Sequence, residues 1–471
     1  MGCPPHPEQA GTPSGRLASE RLERVQLGLL GATVASCFVS IFASQTLLAL
    51  GAIVFLVRLW LGQARLPRLP LDGAVVVFSV WTLLSASFSP DPSASFGEAK
   101  KLVLFLALYL AAGCLARRDH RERFLELALL GSLALALGAL LQYWLLGYDD
   151  LGNRPRGLLG HYMTASGLCM GGMLLAGARL IFGPRTPTRP TPADLWAAGG
   201  LAAAIGLLTF LQRTGVFATE AERLFVAALA ALAAYMALSR GAWPGPATGR
   251  ALALLAFPLT LAALVASQTR NAWVGSLAGL AVLAVLWTPR SLWLLAAAVG
   301  ALLLARPPAI VNRLTITDAS SRDRYYMWQA GFDMIRDKPV FGQGPGMILG
   351  VYPRFRWPEA PNPRAPHLHD NALQIAAERG VPCLVFWLWW IAVLMADAYR
   401  EARPGVAARE WGPAAALAVL TAVMVAGLFE YNLGDSEILM FVLLIAALPY
   451  AQRSERSLPP ELGPQPAPLA R

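Results

Sequence analysis

Apolar and polar positions along this chain fall into long blocks. Runs of roughly 17–22 apolar residues recur from one end to the other, the length an α-helix needs to cross a hydrocarbon core. The blocks at 25–43, 46–62, 73–89, 99–116, 123–146, 161–182, 194–211, 222–239, 250–267, 271–288, 291–305, 371–397, 412–429 and 434–450 predict about fourteen transmembrane helices. The expected fold class is therefore all-α, a polytopic integral membrane bundle. One long polar interval, 306–370, interrupts the series and is expected to form a single large loop with short helices of its own. Around these lie an N-terminal tail (1–24), the spans before the loop (25–305), the spans after it (371–450) and a Pro-rich tail (451–471), read as disordered.

Composition sharpens this. The chain is 56% hydrophobic and 14% charged, well below the charge content of about 25% usual for soluble domains. The net charge of +10 raises nucleic acid as a partner, but no basic arm or binding module accompanies it, so none is expected. Most Lys and Arg sit in short loops between spans, where they set orientation. Arg65, Arg68, Arg117, Arg118, Arg121, Arg123, Arg185, Arg189, Arg240, Arg250, Arg290, Arg400, Arg403 and Arg409 fall on one side. Asp91, Glu98, Asp149, Asp150, Glu220, Glu430 and Asp435 fall on the other. The asymmetry predicts cytoplasmic termini and an outward-facing loop 306–370. No small-residue cleavage site follows the first span, which reads as a retained helix. The five cysteines are scattered, with no CxxC or Cys/His ligand spacing, so neither a disulfide framework nor a zinc site is suggested.

The polar interval carries the chemistry. Between residues 306 and 366 it holds eight Arg and one Lys against four Asp and one Glu. Such a loop either lies solvated against lipid headgroups or receives phosphate, whose geometry the guanidinium fork matches. From Arg324 to Ile335 the spacing is helical, with Tyr325, Trp328, Phe332 and Ile335 on one stripe. Phe341-Gly342-Gln343-Gly344-Pro345-Gly346 is a turn-rich breaker without the Lys-Ser/Thr ending of a phosphate loop. Beyond His367-Leu368-His369 a helix begins, and Asp370, Gln374 and Glu378 recur at i, i+4 and i+8 until Gly380 and Pro382 interrupt it. A polar stripe entering the bilayer is either a paired structural cap or a functional surface. Arg156 before the sixth span, Arg270 in the turn Thr269-Arg270-Asn271-Ala272-Trp273, and Glu430-Tyr431-Asn432 between the last two spans share the outward side. Snorkelling to headgroups is the plain alternative for Arg270.

These pieces, in this order, resemble the O-antigen ligase and polymerase superfamily. The matching residues are Arg156-Gly157, Thr269 through Trp273, Arg324-Tyr325-Tyr326-Met327-Trp328 leading into Pro339 through Gly344, and His369 through Gly380. The family usually shows His-Asn where this chain has His369-Asp370, and commonly has about twelve spans; the extra pair here falls at 194–239. The resemblance implies a glycosyltransferase of the bacterial inner membrane, expected to invert since the sequence shows no obvious nucleophile for a covalent route. It would move a glycan from an undecaprenyl-diphosphate-linked donor to a lipid A-core, glycan or protein acceptor at the periplasmic face. In that reading His369 is the catalytic base, Arg156, Arg270 and Arg324 bind the diphosphate, and His367, Asp370, Gln374 and Glu378 are further substrate-binding candidates. No Asp-x-Asp pair stands on the outer side, so the reading calls for no metal or other cofactor. Ligase, polymerase and protein glycosyltransferase remain open, as does a polytopic transporter or flippase of lipid-linked glycans.

Overall fold

The computed structural model describes residues 13–144, 154–184, 246–305, 319–408 and 410–456. The expected spans 194–211 and 222–239 and the loop residues 306–318 lie outside them. Among the described residues the regular structure is entirely helical. The apolar blocks within them fall largely on helix: α1 (Pro13–Ser36), α2 (Ile41–Trp60), α3 (Asp72–Ser87), α4 (Pro92–Ala99), α5 (Leu106–Cys114), α6 (Arg118–Trp144), α7 (Tyr162–Phe182), α8 (Pro246–Ala266), α9 (Arg270–Trp287) and α10 (Ser291–Ala305), then, beyond α11 (Ala319–Asp337) and α12 (Ile348–Phe355) of the polar interval, α13 (Asn371–Ala407), α14 (Gly412–Ala426), α15 (Ser436–Ala446) and α16 (Leu448–Glu455). Among the described residues seven helices are long and apolar enough to cross a membrane, and three shorter apolar ones, Asp72–Ser87, Ser291–Ala301 and Gly412–Ala426, accompany them. The protein is a multi-pass membrane helical bundle.

The details depart from the blocks in instructive ways. Helix α1 starts at Pro13, so part of the expected N-terminal tail is helical. The block at 99–116 is split into a 3-10 stretch, Lys100–Phe105, and α5. The block at 434–450 becomes α15 (Ser436–Ala446) and α16 (Leu448–Glu455), preceded by a 3-10 turn at Asn432–Gly434.

Small residues set how closely the helices pack. A Cβ on Gly275 would lie 2.6 Å from the Ala422 carbonyl oxygen and one on Gly279 3.0 Å from that of Ala418. These two glycines, one turn apart on α9, let its backbone approach that of α14 (Gly412–Ala426). Such small-residue seams are how helices gain contact where lipid offers no hydrophobic drive between them. Helices α2 and α3 instead turn Ile53, Leu56, Trp60, Val76 and Val80 outward, more than half exposed, as lipid-facing surfaces do.

The polar interval builds a second, smaller core over one end of the bundle. Helices α11 (Ala319–Asp337) and α12 (Ile348–Phe355) bring Met327, Ala330, Met334, Ile348 and Tyr352 against Ala365, Leu368, Leu373 and Ala377. The buried face of α11 is therefore Met327, Ala330 and Met334. Tyr325 and Phe332, expected on its apolar stripe, are 55% and 50% exposed. Helix α13 (Asn371–Ala407) ties the two cores together. Leu373 and Ala377 belong to the small one and Trp387, Trp390 and Ile391 to the large one.

Between them α13 breaks at Gly380, whose φ of 82° and ψ of 166° are non-helical. Here the Pro339–Gly346 turn docks. Val381 N donates to Pro339 O (2.8 Å), Gln343 N to Ala377 O (2.8 Å) and Gly344 N to Glu378 O (2.8 Å). The glycines of this turn are packing requirements, since a Cβ on Gly342 would overlap the Glu378 carbonyl group. The turn is a clasp that fastens the interval to α13.

Candidate functional site

The site is organised by a tripeptide. Leu368 is fully buried in the small core, and its N–H donates to Gln374 Oε1 at 2.8 Å. Residue alternation then turns the imidazoles on either side of it toward one neighbour. His369 sits at φ 53°, a left-handed conformation uncommon for a residue with a side chain; such conformations persist where the surroundings enforce them. The enforcing contacts follow directly. Asp370 Oδ1 accepts from Leu373 N at 2.7 Å, capping α13. Asn371 N donates to Gly427 O at 2.8 Å, and Asn371 Nδ2 to Asn432 Oδ1 at 2.7 Å.

That last bond brings the link after α14 over the histidines, and with it Glu430. The Glu430 side chain is only 6% exposed. Its Oε2 lies 2.8 Å from His369 Nδ1 and 3.4 Å from Arg324 Nη2. Its Oε1 lies 3.6 Å from His367 Nδ1. The two imidazole rings stand edge to face with centroids 4.2 Å apart. Two histidines, one arginine and one carboxylate thus meet in a half-buried pocket, drawn from α11, the strand of chain before α13 and the link after α14.

The electrostatics sort these groups. Burial pushes the Glu430 carboxyl up, but the hydrogen bond and charge of His369, then His367 and Arg324, bring it down on balance, so it is a carboxylate near neutral pH. Facing a carboxylate, Nδ1 of His369 is the donor of that bond, and Nε2 is the ring nitrogen Glu430 does not engage. His367 is pushed down to about 4, chiefly by burial and next by His369. It is a neutral and weakly basic ring at physiological pH. Burial raises the Asp370 carboxyl against the Leu373 and Ala372 N–H groups that lower it.

The other expected residues take different places. Arg270 is the first residue of α9 and its Nη2 reaches Ser321 Oγ at 3.4 Å, three positions before Arg324 on α11. The turn before α9 is thereby joined to the helix that carries Arg324. Arg156 lies in a loop held by Gln142, whose Oε1 accepts from Arg156 N (3.1 Å) and Gly157 N (2.9 Å); its Nη1 donates to Gly160 O at 3.0 Å. Gln374 and Glu378 share one face of α13, but the clasp covers that face. Glu378 Oε1 accepts from Gln374 Nε2 (2.8 Å) and Gly346 N (2.9 Å), and Glu378 Oε2 pairs with Arg379 Nη1 at 2.8 Å. Both hold the frame beneath His369.

Glu430 stood out in the sequence as part of the outward turn Glu430-Tyr431-Asn432, but without a partner, since its contact with His369 arises from an approach across 61 positions. The cluster also brings together a ligand set that no local spacing announced. One nitrogen or oxygen each from His367, His369 and Glu430 lie within 4.8 Å of one another.

Comparison with known proteins now bears on this arrangement. Residues 252–388 match the family model described as O-Antigen ligase. Over that stretch the chain is similar to the O-antigen ligase/polymerase superfamily. The matched segment runs from α8 through the break in α13 and contains Arg270, Arg324, His367 and His369, whereas Arg156 and Glu430 lie outside it. No curated protein matches the chain. The similarity supports a membrane enzyme of the ligase or polymerase type.

Proposed function

We propose that this protein is an O-antigen ligase-like glycosyltransferase that moves a glycan from undecaprenyl diphosphate to an acceptor hydroxyl, with His369 as general base. The observation that carries the reading is the hydrogen bond from His369 Nδ1 to the buried Glu430 carboxylate. It fixes the imidazole tautomer and orientation, leaves Nε2 to take a proton, and stabilises the imidazolium that results. This is the arrangement by which an enzyme makes a histidine an effective base.

The steps balance as follows. The acceptor hydroxyl gives its proton to His369 Nε2 as its oxygen bonds to the anomeric carbon. The bond from that carbon to the diphosphate oxygen breaks, and the electron pair leaves with the lipid diphosphate. Direct displacement inverts the anomeric configuration. The growing negative charge on the leaving group calls for fixed cations, a role for Arg270 at the start of α9, Arg324 on α11 and Arg156 from the loop before α7. His367 is a poorer base because burial depresses it; the reading gives it contact with the acceptor. The one-sided arginine distribution supports cytoplasmic termini and a site on the outer face of the inner membrane.

A reconstituted transfer assay tests the proposal. Wild type and His369→Ala are mixed with an undecaprenyl-diphosphate glycan and a lipid A-core acceptor, and the products are sized. Glycan on the acceptor, from wild type only, is the expected result. Longer lipid-linked chains in its place make the protein a polymerase. Full transfer by His369→Ala removes His369 from the mechanism.

A further inference from the structure

The same three side chains that prepare the base also form a ligand set for a cation. We propose, on the reading that His369 is the base, that His367, His369 and Glu430 bind one transition-metal cation of the zinc type, and that its occupancy switches transfer off.

Two imidazole nitrogens and one carboxylate oxygen are the donors that zinc takes in sites with a position left open. Ligand atoms at about 2.0–2.1 Å from a tetrahedral zinc are about 3.3 Å from one another. The separations found here straddle that value: 2.8 Å from His369 Nδ1 to Glu430 Oε2 and 3.6 Å from His367 Nδ1 to Glu430 Oε1. All the ligand atoms of the set lie within 4.8 Å of one another. The backbone under the ligands is already fixed. Leu368 is locked in the small core, and the Asn371–Asn432 bond holds the link that carries Glu430.

A second observation points to a ligand. His367 Nδ1 is buried and has no hydrogen-bond partner, although it faces the Glu430 carboxylate. A buried polar atom left in this state calls for a water or an ion. Arg324 Nη2, 3.4 Å from Glu430 Oε2, opposes a second positive charge and keeps the affinity below that of a structural zinc site. The site therefore suits a reversible inhibitor better than a resident cofactor. Coordination at His369 Nδ1 would replace its hydrogen bond to Glu430 and place a dication on the ring, so Nε2 would lose the basicity that the reaction uses.

The test uses the full chain in detergent, stripped with EDTA and titrated with Co2+, then Zn2+. The expected result is one Co2+ per chain with visible d–d absorption, displaced by Zn2+. Binding weakens by about 10-fold or more in His367→Ala and Glu430→Gln. In His367→Cys it persists and gains a thiolate-to-cobalt charge-transfer band, which general loss of structure cannot produce. Zinc inhibition, scored against each variant's own metal-free rate, moves in parallel with binding. Equal Co2+ binding by wild type and His367→Ala, or a His367→Cys protein with no charge-transfer band, overturns the site. Specific binding that leaves wild-type transfer untouched overturns the switch. Full transfer by His369→Ala, together with lost metal binding, would instead overturn the base assignment and leave the site standing.

Discussion

Glu430 reaches back across 61 residues to hold His369 Nδ1 at 2.8 Å, and the same carboxylate oxygen takes Arg324 Nη2 at 3.4 Å. One acid thus holds both groups, and in the proposed mechanism it orients the base and anchors a cation for the leaving group. Glu430→Gln keeps the shape but removes the charge that favours the imidazolium. We expect kcat to fall by on the order of 10²–10⁴-fold, the range for losing a base or its orienting acid, with a small change in KM. Steady-state transfer kinetics check this, and an unchanged kcat would leave Glu430 a purely structural residue.

His367 and His369 differ in surroundings, and the difference predicts unequal effects. His369→Ala should abolish transfer while the protein still inserts and elutes as wild type. His367→Ala, which removes the ring depressed by burial, should retain measurable transfer with a raised KM for the acceptor. Side-by-side kinetics decide the matter. The reverse order of effects would assign the base to His367.

Arg270 and Arg324 are separated in sequence but joined through Ser321 Oγ, 3.4 Å from Arg270 Nη2. A lysine keeps charge and loses the planar fork that suits a diphosphate. Arg270→Lys and Arg324→Lys should each lower kcat/KM by about 10-fold or more, consistent with losing a charge-assisted hydrogen bond. A wild-type rate for Arg270→Lys would mean that the side chain only snorkels to headgroups.

How much of this could be read from residues alone follows from which forces are local. The spans were legible because bilayer thickness sets block length directly, and α2, α6, α7, α9 and α13 lie where the blocks placed them. The stripe on α11 was legible only in part. Trp328 and Ile335 pack against the small core, while Tyr325 and Phe332 stay at least half exposed and Met327, Ala330 and Met334 fill the buried face. The flexible methionines follow an irregular surface. Gln374 and Glu378 fell on one helical face as their spacing requires, but only the folded clasp reveals what covers it. His369 and Arg324 stood out in the sequence as candidates in a polar interval. What joins them did not, because Glu430 reaches both only through a tertiary approach.

The break in α13 makes a prediction about stability. Gly380 has φ 82°, and a Cβ there would overlap the Val340 carbonyl oxygen of the clasp. Gly62 has a similar φ, 68°, with nothing within 4 Å of its would-be Cβ. Gly62→Ala should therefore cost about 1 kcal/mol of backbone strain. Gly380→Ala should cost about 3 kcal/mol or more, because strain and overlap add and the Val381–Pro339 bond is lost. Thermal unfolding in detergent, followed by tryptophan fluorescence, measures the difference. Equal shifts would mean that the clasp does not bear on α13.

The leaving group's charge is met in this mechanism by guanidinium groups, so transfer should not need a divalent ion. EDTA is expected to leave the rate unchanged, or to raise it where the preparation carries zinc. Excess Mg2+, a hard cation that prefers oxygen ligands, should neither restore nor inhibit. Rate measurements after chelation, with Mg2+, Mn2+ or Zn2+ added back singly, separate the cases. A rate lost to EDTA and restored by Mg2+ or Mn2+ would show that a cation, rather than Arg270 and Arg324, neutralises the diphosphate. The two histidines and Glu430 would then need a role at the metal in place of the proton.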